Sequence, residues 1–352
     1  MRYCYFYCYC HRGSELKRST RLLARLWPIG IGIGVGMTAV LSTSCASAQE
    51  LSLYAGPLTG SSGNRSYSWA LDYTEGFGRY FAGSIEWLNE GHVPGHHRDG
   101  QAVLIWARLP SPTRRFVFSV GVGPYRYFDT ETAANGGGYS NTHGWGVVYS
   151  ARASFYSAHR WTANLQLNRV QVSSGPATTA VLVGIGYQLD APGERGPRAF
   201  ALPRTQKVTN NEVSLLAGET ILNNNGSNTS IAEAIEFRHG LTRYLDGTIG
   251  YLHEGGALKS RRDGITAQLW LTRAFFDERL TLGIGAGTYA AIHRPDGADG
   301  GITGDGIFSG LVSITASYRL TPHWSARLTW NRVVTHYSRD TDVILGGIGY
   351  RF

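Results

Sequence analysis

The chain has 352 residues, of which 46 are Gly and 12% are aromatic, with Tyr the commonest ring at 20. All four cysteines (Cys4, Cys8, Cys10, Cys45) precede Gln49, so the remainder can carry neither a disulfide framework nor a cysteine metal site. The formal charge of +8 falls to +3 beyond residue 48, where 27 Lys and Arg face 24 Asp and Glu, and so lends no support to nucleic-acid binding.

The chain begins with a basic stretch, Lys17, Arg18, Arg21 and Arg25, ahead of an apolar run that reaches Leu41. Ala46-Ser47-Ala48 then supplies the small-x-small pattern of signal-peptidase cleavage, so residues 1–48 are expected to be a signal peptide. Cys45 is not expected to carry lipid, because Ser42 occupies the position three before it, where a lipobox takes an apolar residue. Beyond the leader no stretch offers the roughly 18 consecutive apolar residues of a membrane helix, a test that a barrel evades because only alternate residues face lipid.

Two copies of one unit follow. Leu51-Ser52-Leu53-Tyr54-Ala55-Gly56 matches Val213-Ser214-Leu215-Leu216-Ala217-Gly218, and Gly76-Phe77-Gly78-Arg79-Tyr80 matches Gly240-Leu241-Thr242-Arg243-Tyr244. Glu90-Gly91 falls on Glu254-Gly255, Arg98-Asp99-Gly100 on Arg262-Asp263-Gly264, Trp106 on Trp270 and Asn168-Arg169-Val170 on Asn331-Arg332-Val333. So many identities in fixed register define a tandem repeat, 49–190 and 212–352, around a Pro-bearing linker at 191–211.

Eight strands are predicted in the first copy, at 51–56, 66–73, 80–90, 101–109, 116–127, 146–156, 161–172 and 178–189. Long connections (57–65, 91–100, 128–144) alternate with short ones (74–79, 157–160), the pattern of external loops and periplasmic turns. Within strands one apolar face alternates with a polar or glycine-rich one: Phe118, Val120 and Val122 in the first copy, Leu282, Ile284 and Ala286 in the second. Tyr80/Tyr244, Phe155/Tyr318, Trp161/Trp324 and Tyr187/Tyr350 fall at the periplasmic strand ends, as an interfacial girdle requires. The inner face sets Trp106 and Trp270 beside Gly121, Gly123, Gly285 and Gly287, large against small, which suits a narrow lumen. Inward acids (Asp72, Glu86, Glu90, Glu236, Glu254) and bases (Arg108, Arg152, Arg327) are expected to pair there.

The last ten residues, V-I-L-G-G-I-G-Y-R-F, resemble the C-terminal assembly signal of bacterial outer-membrane β-barrels, and G-I-G-Y also occurs at 184–187. In architecture each copy resembles the eight-stranded OmpA/OmpX/PagL-like type. The expected fold is therefore all-β, an antiparallel transmembrane up-and-down barrel in two tandem eight-stranded repeats, with one sixteen-stranded barrel as the alternative. The resemblance implies the outer membrane of a Gram-negative bacterium, with lipid including lipopolysaccharide and the barrel assembly machinery as partners.

Candidate chemistry is sparse. His336-Tyr337-Ser338 resembles the His-x-Ser of the lipid A 3-O-deacylase family, in which His activates Ser for acyl transfer. Arg339 stands where that family has Asn, no Glu follows Ser338, and the first copy has Ser173 and Gly175 at the matching positions. Arg169 and Arg332, outward near the external rim, suit bidentate contact with lipopolysaccharide phosphates. His92, His96 and His97 beside Glu90 read as a solvated loop rather than a metal site, and Asp296, Asp299 and Asp305 lack EF-hand spacing. The repeated Arg-Asp-Gly reads as a turn. No metal or cofactor is expected. The leading expectation is a non-enzymatic outer-membrane protein with a structural or envelope-interaction role. The alternatives are a PagL-like ester hydrolase using His336 and Ser338, or a porin-like diffusion channel if the repeats close into one barrel.

Overall fold

A computed structural model describes residues 49–132, 138–190, 196–197, 211–224, 226–256, 262–293 and 307–352. The expected signal peptide, most of the linker and the Asp296–Asp305 segment lie outside the described residues. The first copy forms β1 (Gln49–Gly60), β2 (Arg65–Gly76), β3 (Phe81–Val93), β4 (His96–Pro110), β5 (Phe116–Thr132), β6 (Tyr139–Tyr156), β7 (Trp161–Val172) and β8 (Thr178–Gln188). The second forms β9 (Asn211–Leu222), β10 (Thr229–Gly240), β11 (Leu245–His253), β12 (Asp263–Phe275), β13 (Leu280–His293), β14 (Phe308–Arg319), β15 (Trp324–Val334) and β16 (Thr341–Arg351).

Within each copy every strand pairs antiparallel with its sequence neighbours, and two separate closures complete the sheets. β1 meets β8 through Glu50↔Gln188 and Leu53↔Ile185, while β9 meets β16 through Glu212↔Arg351 and Leu215↔Ile348. The protein is therefore two closed eight-stranded transmembrane barrels, and the sixteen-stranded alternative does not occur. Closure leaves no strand edge unpaired, which a sheet in hydrocarbon cannot tolerate.

Faces follow the period-two pattern. On β4, outward Ile105 is 67% exposed while its inward neighbour Trp106 is 1% exposed. Leu53, Val120, Val183, Ile231, Leu269 and Leu328 extend the bare apolar surface around both barrels. In water such a belt would be one very large hydrophobic patch; against lipid it is solvated by acyl chains. At the end bearing Gln49 and Phe352, Trp161 packs edge-on against Tyr187 at 4.9 Å and Trp324 against Tyr350 at 5.1 Å. The interfacial aromatic pair is thus duplicated with the barrel.

The lumens are filled. A Cβ on Gly121 would lie 2.6 Å from the Trp106 ring, and one on Gly285 2.6 Å from Trp270, so each indole lies flat on bare backbone of the next strand. Trp106 Nε1 donates to Ser84 Oγ and Trp270 Nε1 to Thr248 Oγ1, both at 2.9 Å. Around them most of the expected charges pair, but Arg108 donates to Gly78 O at 2.8 Å and Glu86 accepts from side-chain amides. Arg152 meets Asp72 at 3.1 Å and donates to Gln166 at 2.7 Å, and Gln166 and Asn168 donate onward to Glu86. In the second barrel Arg238 meets Glu236 at 3.1 Å and Asp246 at 3.6 Å, and Arg327 pairs with Glu212 and Glu236.

Two local expectations are corrected. The connections expected at 57–65, 91–100 and 128–144 are largely strand: Thr59 pairs with Arg65, His92 with His97 and Thr132 with Tyr139. Continued pairing satisfies backbone groups that a loop would leave to water, so the ladders project beyond the apolar belt. A bulge near Gly91 (φ 61°) bends β3, and a Cβ there would fall 2.2 Å from Tyr67 O. Nor is Arg-Asp-Gly a turn. Arg98 and Arg262 point into the lumens, where Arg98 Nε lies 2.5 Å from Glu90 and Arg262 pairs with Glu254. Gly100 and Gly264 leave room for the rings of Tyr125 and Tyr289, which a Cβ would approach to 2.9 and 2.4 Å. The repeated identities thus mark an interior plug: Glu and Arg, with Tyr over Gly.

Candidate functional site

Two of the sequence candidates, His336-Tyr337-Ser338 and Arg332, lie where the barrels meet, at the rim opposite Gln49 and Phe352. Both barrels belong to one compact unit, residues 45–352. Near the rim β15 lies against β2, β3 and β4, which cover its outward Trp330 and Arg332. Trp330 packs at a tilt, 4.3 Å from Trp87 and 6.1 Å from Trp69. Its indole Nε1 donates to Asp342 Oδ1 at 3.0 Å.

Arg332 is 4% exposed. Its Nε donates to Asp342 Oδ1 at 2.6 Å, and its Nη2 donates to Asp342 Oδ2 at 2.8 Å and across the seam to Asp99 Oδ2 at 2.7 Å. One guanidinium between two carboxylates is the geometry that makes a buried charge tolerable, and it ties one barrel to the other. The outward parity of Arg332 therefore leads into the neighbouring barrel rather than to lipid. Arg169, its repeat partner, is half-buried and donates to Thr179 Oγ1 at 2.9 Å.

The hairpin between β15 and β16 docks on β6. His143 Nε2 lies 2.6 Å from Asp340 Oδ2, and Asp340 Oδ1 accepts from Thr335 N at 2.8 Å. Ser338 sits in the left-handed region (φ 54°), and its Oγ accepts from the backbone N–H of Asn141 at 3.2 Å. Arg339 donates to Tyr139 OH at 2.8 Å. His336 is exposed, and among the described residues no hydrogen bond joins it to Ser338. The acyl-transfer arrangement needs nucleophile and base within hydrogen-bond reach. The serine here serves instead as an acceptor in the seam.

At the end bearing Gln49 and Phe352, Arg273 meets Glu75 at 2.9 Å and Phe275 lies 6.3 Å from Tyr73. The β12–β13 turn, left-handed at Phe276, Asp277 and Glu278, carries the Phe276 ring to within 6.5 Å of Tyr187 and 5.3 Å of the Arg160 guanidinium.

Sequence reasoning did not find the seam, yet a signal exists in the repeat. At seam positions one copy departs from the apolar outward residue that the other keeps. Trp330 stands where the first copy has Leu167, and Arg273 where it has Leu109, and both of these leucines are exposed. Asp99 and Asp340 could not be singled out, since an acid near a strand end is ordinarily a solvated rim group.

The histidines separate. His92 and His97 pack edge-on at 4.1 Å, whereas His96 turns to the lumen side and its Nδ1 lies 2.9 Å from Asp129 Oδ2. Glu90, expected beside them, is taken by Arg98.

No family model matches the chain, and no curated protein matches its sequence. Among solved structures it is similar to Neisserial surface protein A, at 8% identity over 41% of this chain and 96% of that one, with a TM-score of 0.33. It is similar to designed transmembrane β-barrels at 11% identity, over 43% of this chain and 100% of the other, TM-score 0.30. The translocator domain of the autotransporter NalP from Neisseria meningitidis aligns at 11% identity over 88% of this chain and 89% of that one, TM-score 0.22.

Proposed function

We propose that the protein is a non-enzymatic outer-membrane protein of a Gram-negative bacterium, two plugged barrels held as one body with a structural or envelope-interaction role. The observation that carries this reading is the pair of filled lumens, each with an indole lying on glycine and a guanidinium over the indole. Arg152 lies 4.2 Å from the Trp106 ring and Arg238 4.5 Å from Trp270. A diffusion channel needs a water-filled bore, and the single wide barrel that would supply one is absent. In this reading the end bearing the termini faces the periplasm after removal of residues 1–48, and the opposite rim faces outward. Lipopolysaccharide and the barrel assembly machinery are its partners. Arg169, on the first barrel's outer rim, remains the arginine suited to a lipopolysaccharide phosphate.

Planar-bilayer recording of the purified chain tests it. No steady conductance is expected, and a stable open level of porin size would overturn the reading.

A further inference from the structure

The outer rim of the first barrel brings His96 together with two acids, Asp129 and Glu131, that lie more than thirty residues further along the sequence. His96 stands opposite Glu131 across the β4–β5 ladder, and Asp129 opposite Arg98, so His96, Asp129 and Glu131 share the lumen-side face. One ligand atom from each lies within 4.8 Å of the other two. We propose that these three residues bind a divalent first-row transition metal such as Zn²⁺ or Mn²⁺.

Three observations support the site. Asp129 is 2% exposed and its Oδ1 has no hydrogen-bond partner, although Oδ2 already faces His96 Nδ1 at 2.9 Å. A buried carboxylate oxygen left without a partner is costly, and a cation would satisfy it. The local charge is also unbalanced. Arg98, the nearest fixed cation in the ladder, is matched by Glu90 through bonds of 2.5 and 2.9 Å and donates to Pro176 O at 2.9 Å. Asp129 and Glu131 therefore hold two negative charges against one imidazole. Finally, the site is accessible and braced. Gly175 opens one side, where a Cβ would stand 3.4 Å from Arg98 Nη1, itself without a hydrogen-bond partner, 3.8 Å from Asp129 Oδ2 and 3.9 Å from His96 Cε1. Thr142 Oγ1 donates to Glu131 Oε1 at 2.9 Å, orienting that carboxylate from outside the ligand set.

The donor set selects the metal class. One imidazole with two carboxylates suits a borderline cation at about 2.0–2.2 Å, with water completing the coordination, and is poor for the larger all-oxygen shell of Ca²⁺. A metal bound at His96 Nδ1 would take the place of the contact with Asp129 Oδ2 and leave Nε2 as the protonated ring nitrogen. The second barrel supplies an internal control. His253 pairs with Asp263 on neighbouring strands, and among the described residues no third ligand joins them.

Isothermal titration of the purified full chain in detergent with ZnCl₂, and separately with MnCl₂, tests the site. One equivalent of at least one metal is expected to bind. His96→Ala, Asp129→Asn and Glu131→Gln should each weaken binding at least about tenfold, while His92→Ala and His253→Ala leave it unchanged. Glu131→Gln leaves the His96–Asp129 pair in place, so it decides the matter even if Asp129→Asn does not fold. Absence of stoichiometric uptake of either metal by the unaltered chain, or full affinity in Glu131→Gln, overturns the proposal.

Discussion

In the first barrel the guanidinium over the central indole comes from β6: Arg152 lies on Trp106 and donates to Thr74 Oγ1 at 3.1 Å. In the second barrel the two positions are exchanged. The counterpart of Arg152 is Thr315, the counterpart of Thr74 is Arg238, and the cation reaches Trp270 from β10. The interior therefore demands one cation over each indole, within reach of carboxylates, and does not specify the wall that supplies it. A narrow lumen makes that possible, because opposite walls are one side chain apart. The surroundings differ as well. Where the first barrel has Asn164, the second has Arg327 with Glu212 and Glu236, whereas the first buries Glu50 and Arg108 in its interior.

The exchange is breakable. Arg152→Thr leaves Asp72 buried without its partner and should cost about 3–5 kcal/mol. Adding Thr74→Arg should return most of that loss, since it rebuilds the second barrel's arrangement inside the first. Urea unfolding from lipid vesicles, followed by Trp fluorescence, measures both, and a double variant as unstable as the single one would refute the equivalence. Next in size, Arg332→Ala should cost about 2–5 kcal/mol by stranding Asp99 and Asp342 in the seam. Its repeat partner Arg169, in Arg169→Ala, should stay within about 1 kcal/mol by the same measurement. Equal losses would mean that the seam adds nothing to the second barrel's arginine.

Gly121→Ala and Gly285→Ala sharpen the comparison where the barrels agree. Each places a methyl against an indole that cannot retreat, and each should cost about 1–3 kcal/mol. The two losses should match, because the Trp–Gly geometry is the same in both lumens, and a large difference in the urea midpoints would show that it is not. The smallest effect is expected for Ser338→Ala, which removes one weak acceptor and should change stability by no more than about 1.5 kcal/mol. Mass spectrometry should find lipid A unchanged in cells carrying it. A gain of 3-O-acyl chains relative to the unaltered protein would restore the hydrolase reading.

What the residues settle by themselves is which way each side chain faces. Successive Cβ atoms on a strand point to opposite sides whatever the strand pairs with, so Trp106, Arg152 and Val120 could be assigned a face before any partner was known. The repeat added register, and the apposition of Trp106 with Gly121 pointed to a lumen too narrow to be a channel. Closure itself is different. Whether β8 returns to β1 or runs on to β9 depends on curvature and stagger summed over all the strands, to which no single residue testifies.

The seam and the outer rim also lie beyond local reading. Arg332 and Asp99 each sit at an outward position near a strand end, and nothing in either segment says that another barrel, rather than lipid or water, will meet it. His96 was visible as one of three neighbouring histidines, but its partners Asp129 and Glu131 come from the far side of a hairpin that the sequence presents as loop. Alternation is a property of one strand and can be read along it. Adjacency between faces is decided by the free energy of the whole assembly, and only the folded chain reveals it.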